Sequence, residues 1–295
     1  MARSPASDTP LRIGIHTTSQ GTLEKTALKA HELGANTFQI FSASPRMWRA
    51  SMPPASDCQA LERVRQKLDL KPLVIHDNYL INLASIDPTI RAKSIQCFRG
   101  ELERAALIGA EYLVAHPGSY KGQTLEDGIA NFARGLAEAA HGVARGAVML
   151  LLECTAGGGC HIGSRFEELR AIRDLAANLT DLPIGYCLDT CHLLAAGFDI
   201  RTPAGLNQTV RDADTILGMT SVKLIHANDS KTPLGSRADR HENIGQGHIG
   251  EAAFRRILAH PKLRKLPFIL ETPVDEEGDD LRNLETLKRL WSRKP

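Results

Sequence analysis

The chain has no long apolar run, no excess of charge of one sign and few cysteines. Each absence excludes a class of protein. The longest uninterrupted apolar stretch, residues 147–152, falls far short of the ~20 residues that a membrane-spanning helix needs. The first ten residues, MARSPASDTP, are polar and lack the apolar centre of a secretory signal. They are expected to form a flexible tail, residues 1–10, ahead of one domain over 11–295. Lys and Arg number 36 against 34 Asp and Glu, a net charge of +2. That balance excludes a histone-like basic tail and an acidic solvating domain, though not a local basic patch. Six cysteines are too sparse for a disulfide scaffold and fit a reducing, cytoplasmic setting. No Cys-x-x-Cys spacing suggests a zinc ribbon. No Gly-x-Gly-x-x-Gly follows the first apolar run, and no Lys-Ser/Thr follows Gly157, Gly158 and Gly159, so a nucleotide cofactor is not expected.

What is present is a recurring pattern. Eight short apolar runs stand at residues 11–16, 36–41, 72–76, 112–116, 147–153, 184–189, 222–226 and 267–271. They are rich in Val, Ile and Leu and barely alternate, as strands buried on both faces do. The segments between them have helical periodicity. Leu23, Ala27, Ala30 and Leu33 share a face ahead of Gly34, and Ile95, Phe98, Leu102 and Ala105 share another. Ser164 with Glu167 three residues on reads as a capping box. Eight strands alternating with helices, with no break in composition, predict a single α/β (β/α)8 TIM barrel; a doubly wound open sheet is the alternative.

Six of the runs end on a potential metal ligand: His76, His116, Glu153, Asp189, His226 and Glu271. A seventh, the first, ends on His16. In a parallel barrel all strand C-termini open onto one face, so these side chains would converge at one mouth. A lone histidine of this kind is more often a satisfied core residue, but six such endings are hard to ascribe to chance. Asp189 and His192 form Asp-x-x-His, and Asp239 and His241 form Asp-x-His after the seventh strand. Together these are five histidines and four carboxylates, a mixture suited to zinc, manganese or iron. Three four-coordinate ions need about twelve ligand positions. Nine residues, one bridging carboxylate and one bridging hydroxide fill them and leave a net positive site that attracts an anion, a phosphodiester among the natural ones.

The stretches HDNYLINL (76–83), AHPGSY (115–120), LLECTAGGG (151–159), CLDTCHLLAAGFDI (187–200), IHANDSK (225–231), SRADRHENIGQGHIG (236–250) and ILETP (269–273) resemble the endonuclease IV family of abasic-site endonucleases. The likeness runs from about residue 11 to residue 273 and includes all nine metal positions. It implies three Zn2+ ions, with Mn2+ as a substitute. His76 and His116 would hold the first, Asp189, His226 and Glu271 the second, with Glu153 bridging the two, and His192, Asp239 and His241 the third. It further implies hydrolysis of the phosphodiester 5′ to an abasic site in duplex DNA by a bridging hydroxide, with the third zinc at the leaving 3′ oxygen. Glu153 and Glu271 would be the catalytic carboxylates, Glu271 either orienting the water or serving as a ligand alone.

The resemblance also implies that Arg46, Tyr79 and Leu80 enter the minor groove of damaged double-stranded DNA, where an abasic nucleotide flips out cheaply. As residues alone, Leu80 also fits a core-covering role and Arg46 an ordinary surface loop. The chain departs from the family pattern at Gly158, where Gln is usual, at His161, at Met47 and in the run His16-Thr17-Thr18-Ser19. None of these is a ligand position. His161 reads as a surface or outer histidine, and Cys187 and Cys191, which flank Asp189, as buried small hydrophobes. A metal-dependent sugar isomerase or epimerase on the same barrel is the competing reading, and a metal-stabilised DNA binder without activity is a third. The cluster at His192, Asp239 and His241 argues against the isomerase, which needs one or two ions. No oligomerisation signal is visible, so a monomer is expected, with no membrane partner.

Overall fold

The computed structural model describes residues 11–292; the expected tail at 1–10 lies outside the described residues. The chain opens with β1 (Ile13–His16), α1 (Leu23–Glu32), β2 (Thr37–Phe41), α2 (Ala55–Leu68), β3 (Leu73–His76) and α3 (Pro88–Ile108). It continues with β4 (Tyr112–Ala115), α4 (Leu125–Ala140), β5 (Met149–Glu153), α5 (Phe166–Ala176), β6 (Ile184–Asp189), α6 (Thr190–Ala196) and α7 (Pro203–Ile216). The last part holds β7 (Val222–His226), β8 (Asp229–Ser230), β9 (His241–Glu242), α8 (Glu251–Ala259), β10 (Phe268–Leu270) and α9 (Asp279–Ser292). Eight parallel strands close in the order β1-β10-β7-β6-β5-β4-β3-β2, and β8 and β9 form a separate antiparallel pair. This is the (β/α)8 barrel that the eight apolar runs predict.

Local chemistry sets the element boundaries. Thr22 caps α1 through the Lys25 amide, and Gly34 follows it at φ +88°. Asp87 caps α3 through the amides of Thr89 and Ile90, with Pro88 in the first turn, where its missing N–H costs nothing. The capping box expected at Ser164 and Glu167 does not form. α5 begins two residues later, with Arg165 at its N-cap and no side-chain cap. Ser164 packs instead under Gly157, and Glu168 reaches back to the amides of Gly163 at 2.6 Å and Ser164 at 3.1 Å.

Two apolar layers hold the barrel. Val74, Val114, Leu151, Cys187, Leu224 and Ile269 fill its interior. The larger layer lies between strands and helices and includes Phe38, Phe98, Phe132, Phe166 and Phe254. Side chains alternate across a strand, so the residue two positions beyond each interior residue points the same way. Those residues are His76, His116, Glu153, Asp189, His226 and Glu271. This ring of His, Asp and Glu thus stands directly on the interior layer, and the apolar floor fixes its height. Each fully buried Leu or Ile of that floor contributes about 1.5–3 kcal/mol.

Candidate metal centre

Nine side chains singled out by the strand endings and the two Asp-His pairs meet at the C-terminal mouth. Their donor atoms form three groups, within each of which all lie within 4.8 Å of one another: His76, His116 and Glu153; Glu153, Asp189, His226 and Glu271; and His192, Asp239 and His241. Glu153 belongs to two of them. Its Oε2 lies 3.3 Å from His76 Nε2 and 3.5 Å from His116 Nε2, and its Oε1 lies 3.0 Å from His226 Nδ1. One wholly buried carboxylate therefore spans two donor groups.

Hydrogen bonds to the outer ring nitrogens fix which nitrogen of each imidazole faces inward. Nδ1 of His76, His192 and His241 donates to the main-chain carbonyls of Asp77 at 3.0 Å, Cys154 at 2.9 Å and Glu271 at 2.9 Å. Nε2 is then the nitrogen of each ring turned into the site, the arrangement that orients metal-binding histidines. Nε2 of His192 and of His241 are buried with no hydrogen-bond partner. Both nonetheless flank the Asp239 carboxylate, at 3.1 and 3.2 Å. Two imidazole nitrogens and a carboxylate gathered around one point are a donor set for a divalent cation. His226 is turned the other way, its Nε2–H donating to Gln39 Oε1 at 2.9 Å.

The electrostatics fit such a set. Burial works against charge on Glu153, but His226, His116 and His192 overcome it and hold the carboxyl well below the usual range. Glu271 is held low in the same way, burial being overcome by His226 and His16. Burial also opposes charge on Asp239, yet His192 and His241 bring its pKa down. At Asp189 burial prevails and raises the pKa despite His192 and His241. Burial lowers His116 to about 4, keeping its ring neutral. Burial opposes charge on His76 and His241 as well, but their carboxylate neighbours lift both to about 9. Cys187 and Cys191 lie within reach of these groups, but burial holds both thiols near 12. Both are buried, as the sequence reading of small hydrophobes expects.

Short elements deliver the candidate donors that strands cannot. Asp189 caps α6 by accepting from the His192 amide at 2.7 Å, which brings His192 back over the mouth. The β8–β9 pair returns the chain so that His241 faces inward. Asp229 anchors this loop by accepting from the amides of Ser230, Gly245, Ile249 and Gly250.

Four residues around the site lie outside the nine candidates, His16 among them read only as a strand ending. His16 Nδ1 lies 3.2 Å from Glu271 Oε1, and burial lowers its pKa. Gln39 stands between His226, Glu271 and His16. Asn228 donates to Asp189 Oδ2 at 2.6 Å and accepts from the Glu271 amide at 2.7 Å. Asp229 is the fourth. The one signal for Gln39 is a single amide inside the apolar run 36–41; for Asn228 and Asp229 it is their place just after His226.

The three side chains expected to meet DNA share a ledge beside the mouth. Arg46 is exposed, Tyr79 is 64% exposed and Leu80 is half-buried. The two loops carrying them are tied by Asn78, which donates to the Met47 carbonyl at 2.6 Å, and by the Tyr79 amide, which donates to the Pro45 carbonyl at 3.2 Å. The Tyr79 ring rests edge-on against Phe41 at 5.2 Å. His161 is exposed, as expected of a surface histidine.

A parallel barrel whose mouth is ringed by His, Asp and Glu defines the class, and the xylose isomerase-like TIM barrel family matches residues 27–291. Within that class the chain belongs to the endonuclease 4 family. It is 64% identical over 284 residues to a protein called probable endonuclease 4 from Solibacter usitatus, covering 96% of this chain and 98% of that one. The solved structure of endonuclease IV from Thermus thermophilus superposes with a TM-score of 0.82 at 36% identity, over 95% of this chain and 98% of the other. A D-tagatose 3-epimerase-like protein shares the fold alone, with a TM-score of 0.68 at 19% identity. No described helix is long and apolar enough to cross a membrane.

Proposed function

We propose that the protein is an abasic-site endodeoxyribonuclease that cuts duplex DNA on the 5′ side of the lesion, leaving a 3′-hydroxyl and a 5′-deoxyribose phosphate. The observation that carries the reading is the triple donor set sharing Glu153, on a chain of the endonuclease 4 family. In this reading His76, His116 and Glu153 hold one zinc ion, Glu153, Asp189, His226 and Glu271 a second, and His192, Asp239 and His241 a third. The ions supply an acidified water and neutralise charge on the attacking and leaving oxygens.

The protein's own groups do the rest. A water oxygen bonds to phosphorus, the bond from phosphorus to the 3′ oxygen breaks, and that oxygen leaves with a proton. Glu271, ionised and next to His226, is the carboxylate that orients the water. Glu153 keeps the first two donor groups in one frame. Arg46, Tyr79 and Leu80 wedge into the minor groove and hold the lesion outside the stack. The mixed, nearly neutral surface predicts a moderate salt dependence of binding.

The test is cleavage of a labelled duplex carrying one tetrahydrofuran lesion, before and after prolonged chelation. That analogue cannot undergo β-elimination, so a cut is hydrolytic. A cut on its 5′ side that disappears with the metals is the expected result. A fully metallated protein that leaves the duplex intact, yet converts a keto-sugar, would move the assignment to the isomerase and epimerase reading.

A further inference from the structure

Gln39 is wholly buried in β2, whose neighbours Phe38 and Ile40 pack outward into the core. Its carboxamide reaches three side chains from three other parts of the barrel rim. Oε1 lies 2.9 Å from His226 Nε2, and Nε2 lies 2.5 Å from Glu271 Oε1 and 2.9 Å from His16 Nδ1. Gly14 lets the strands close up here, since a Cβ at that position would collide with the Thr37 carbonyl oxygen.

The direction of the bonds to Glu271 and His226 follows from one partner. An ionised carboxylate only accepts, so the amide nitrogen must face Glu271. The amide oxygen then faces His226, and the hydrogen between them must sit on His226 Nε2. In the neutral ring that a cation requires, the lone pair is then on His226 Nδ1, which lies 3.0 Å from Glu153 Oε1 and 3.1 Å from Glu271 Oε2. The amide nitrogen also lies 2.9 Å from His16 Nδ1, which stands in addition 3.2 Å from Glu271 Oε1. A reversed amide would set two oxygens against each other at Glu271 and turn the His226 lone pair away from the site.

We infer that Gln39 is the positioning residue of the second donor group: its carboxamide selects the His226 tautomer that can ligate a cation and holds Glu271 with Oε2 turned inward. The inference rests on the proposed zinc-binding reading. Hydrogen bonds that orient ligands in this way typically govern metal affinity by 10-fold to 100-fold, roughly. Gln39→Met keeps the bulk and removes both donor and acceptor. Gln39→Glu still accepts from His226 but replaces the amide donor to Glu271 with a second carboxyl.

The experiment titrates the zinc-loaded, full-length protein with a competing chelator and counts ions retained per chain, beside a long-range 1H–15N spectrum of labelled histidines. In Gln39→Met, the ion at Asp189, His226 and Glu271 is expected to be lost at roughly 10-fold to 100-fold lower chelator strength. The ion at His192, Asp239 and His241 should be retained as in the parent, which also reports that the barrel has folded. Gln39→Glu is expected to keep the His226 Nε2–H signature while its zinc affinity falls. Should Gln39→Met fail to fold, this second variant decides the matter. Parent-like zinc affinity in the folded variants overturns the inference. A parent protein that retains no zinc overturns the underlying reading instead.

Discussion

His241 Nδ1 lies 2.9 Å from the main-chain carbonyl oxygen of Glu271. The third donor group is thereby hung on the last residue of the second, although the two come from different loops. Within the second group, Asn228 links the Glu271 amide to the Asp189 carboxylate, whose Oδ2 lies 3.7 Å from His241 Nε2. The nine candidate donors therefore form one connected frame.

Glu153 is the point where that frame divides. Glu153→Ala should lose the ions of the first two groups together and spare the one at His192, Asp239 and His241. Cleavage of the tetrahydrofuran duplex should fall below detection. Elemental analysis of the purified variant checks this, and retention of the parent's full zinc content would remove Glu153 from its spanning role.

Position 158 is where this chain differs from the family pattern next to the third group. A Cβ on Gly158 would stand 2.9 Å from the Arg237 carbonyl oxygen, closer than such contacts occur. Arg237 already holds a positive φ of +54°, so its backbone has little room to yield. Gly158→Gln should push the 237–239 segment outward and loosen Asp239. The expected outcome is weaker zinc retention at that group alone, read by chelator titration, with the other two groups unchanged.

The ledge residues should act on binding more than on chemistry. Tyr79 is exposed and backed by Phe41, a platform for a stacked base. Tyr79→Ala should weaken binding to a lesion-bearing duplex by roughly 10-fold to 100-fold, the usual worth of one aromatic stack. Zinc content should not change. Equal affinity of parent and variant in a fluorescence titration would take Tyr79 out of the interface.

The floor beneath the ledge holds a buried ion pair. Arg104 Nη2 lies 2.9 Å from Glu101 Oε1, and Ser42 Oγ donates to the other carboxylate oxygen. Burial raises the Glu101 pKa, and Arg104 and Ser42 offset only part of that rise. The folded protein thus holds this proton to higher pH than the unfolded chain does. The stability contributed by Glu101 therefore declines as pH climbs from the ordinary carboxylate range through the raised value. Glu101→Gln should flatten that part of the profile. Arg104→Met leaves the carboxylate buried without its partner and should cost about 3–5 kcal/mol at neutral pH. Thermal melts of both variants across mildly acidic to neutral pH check the sign and the size.

Much of the fold and of the donor set is legible in the sequence because both depend on local order. Apolar runs that do not alternate mark strands buried on both faces, and a polar residue at the end of such a run lies at the mouth by geometry alone. His76, His116, Glu153, Asp189, His226 and Glu271 are readable for that reason. Gln39 is not, because its role lies in the direction of two hydrogen bonds to residues about 190 and 230 positions away in the chain. The failed capping box at Ser164 has a similar cause. The motif is sound locally, but packing beneath Gly157 claims the serine first.

Asp229 gathers four main-chain amides of its own loop, and none of those contacts involves a ligand group. The loop that presents Asp239 and His241 is accordingly organised by an internal anion, and a cation arrives there as a guest in a finished setting. Binding then costs little ordering of the chain, and release returns little freedom to it. A protein stripped of its metals should keep this loop in place and regain its full complement on simple addition of zinc, with no refolding step between.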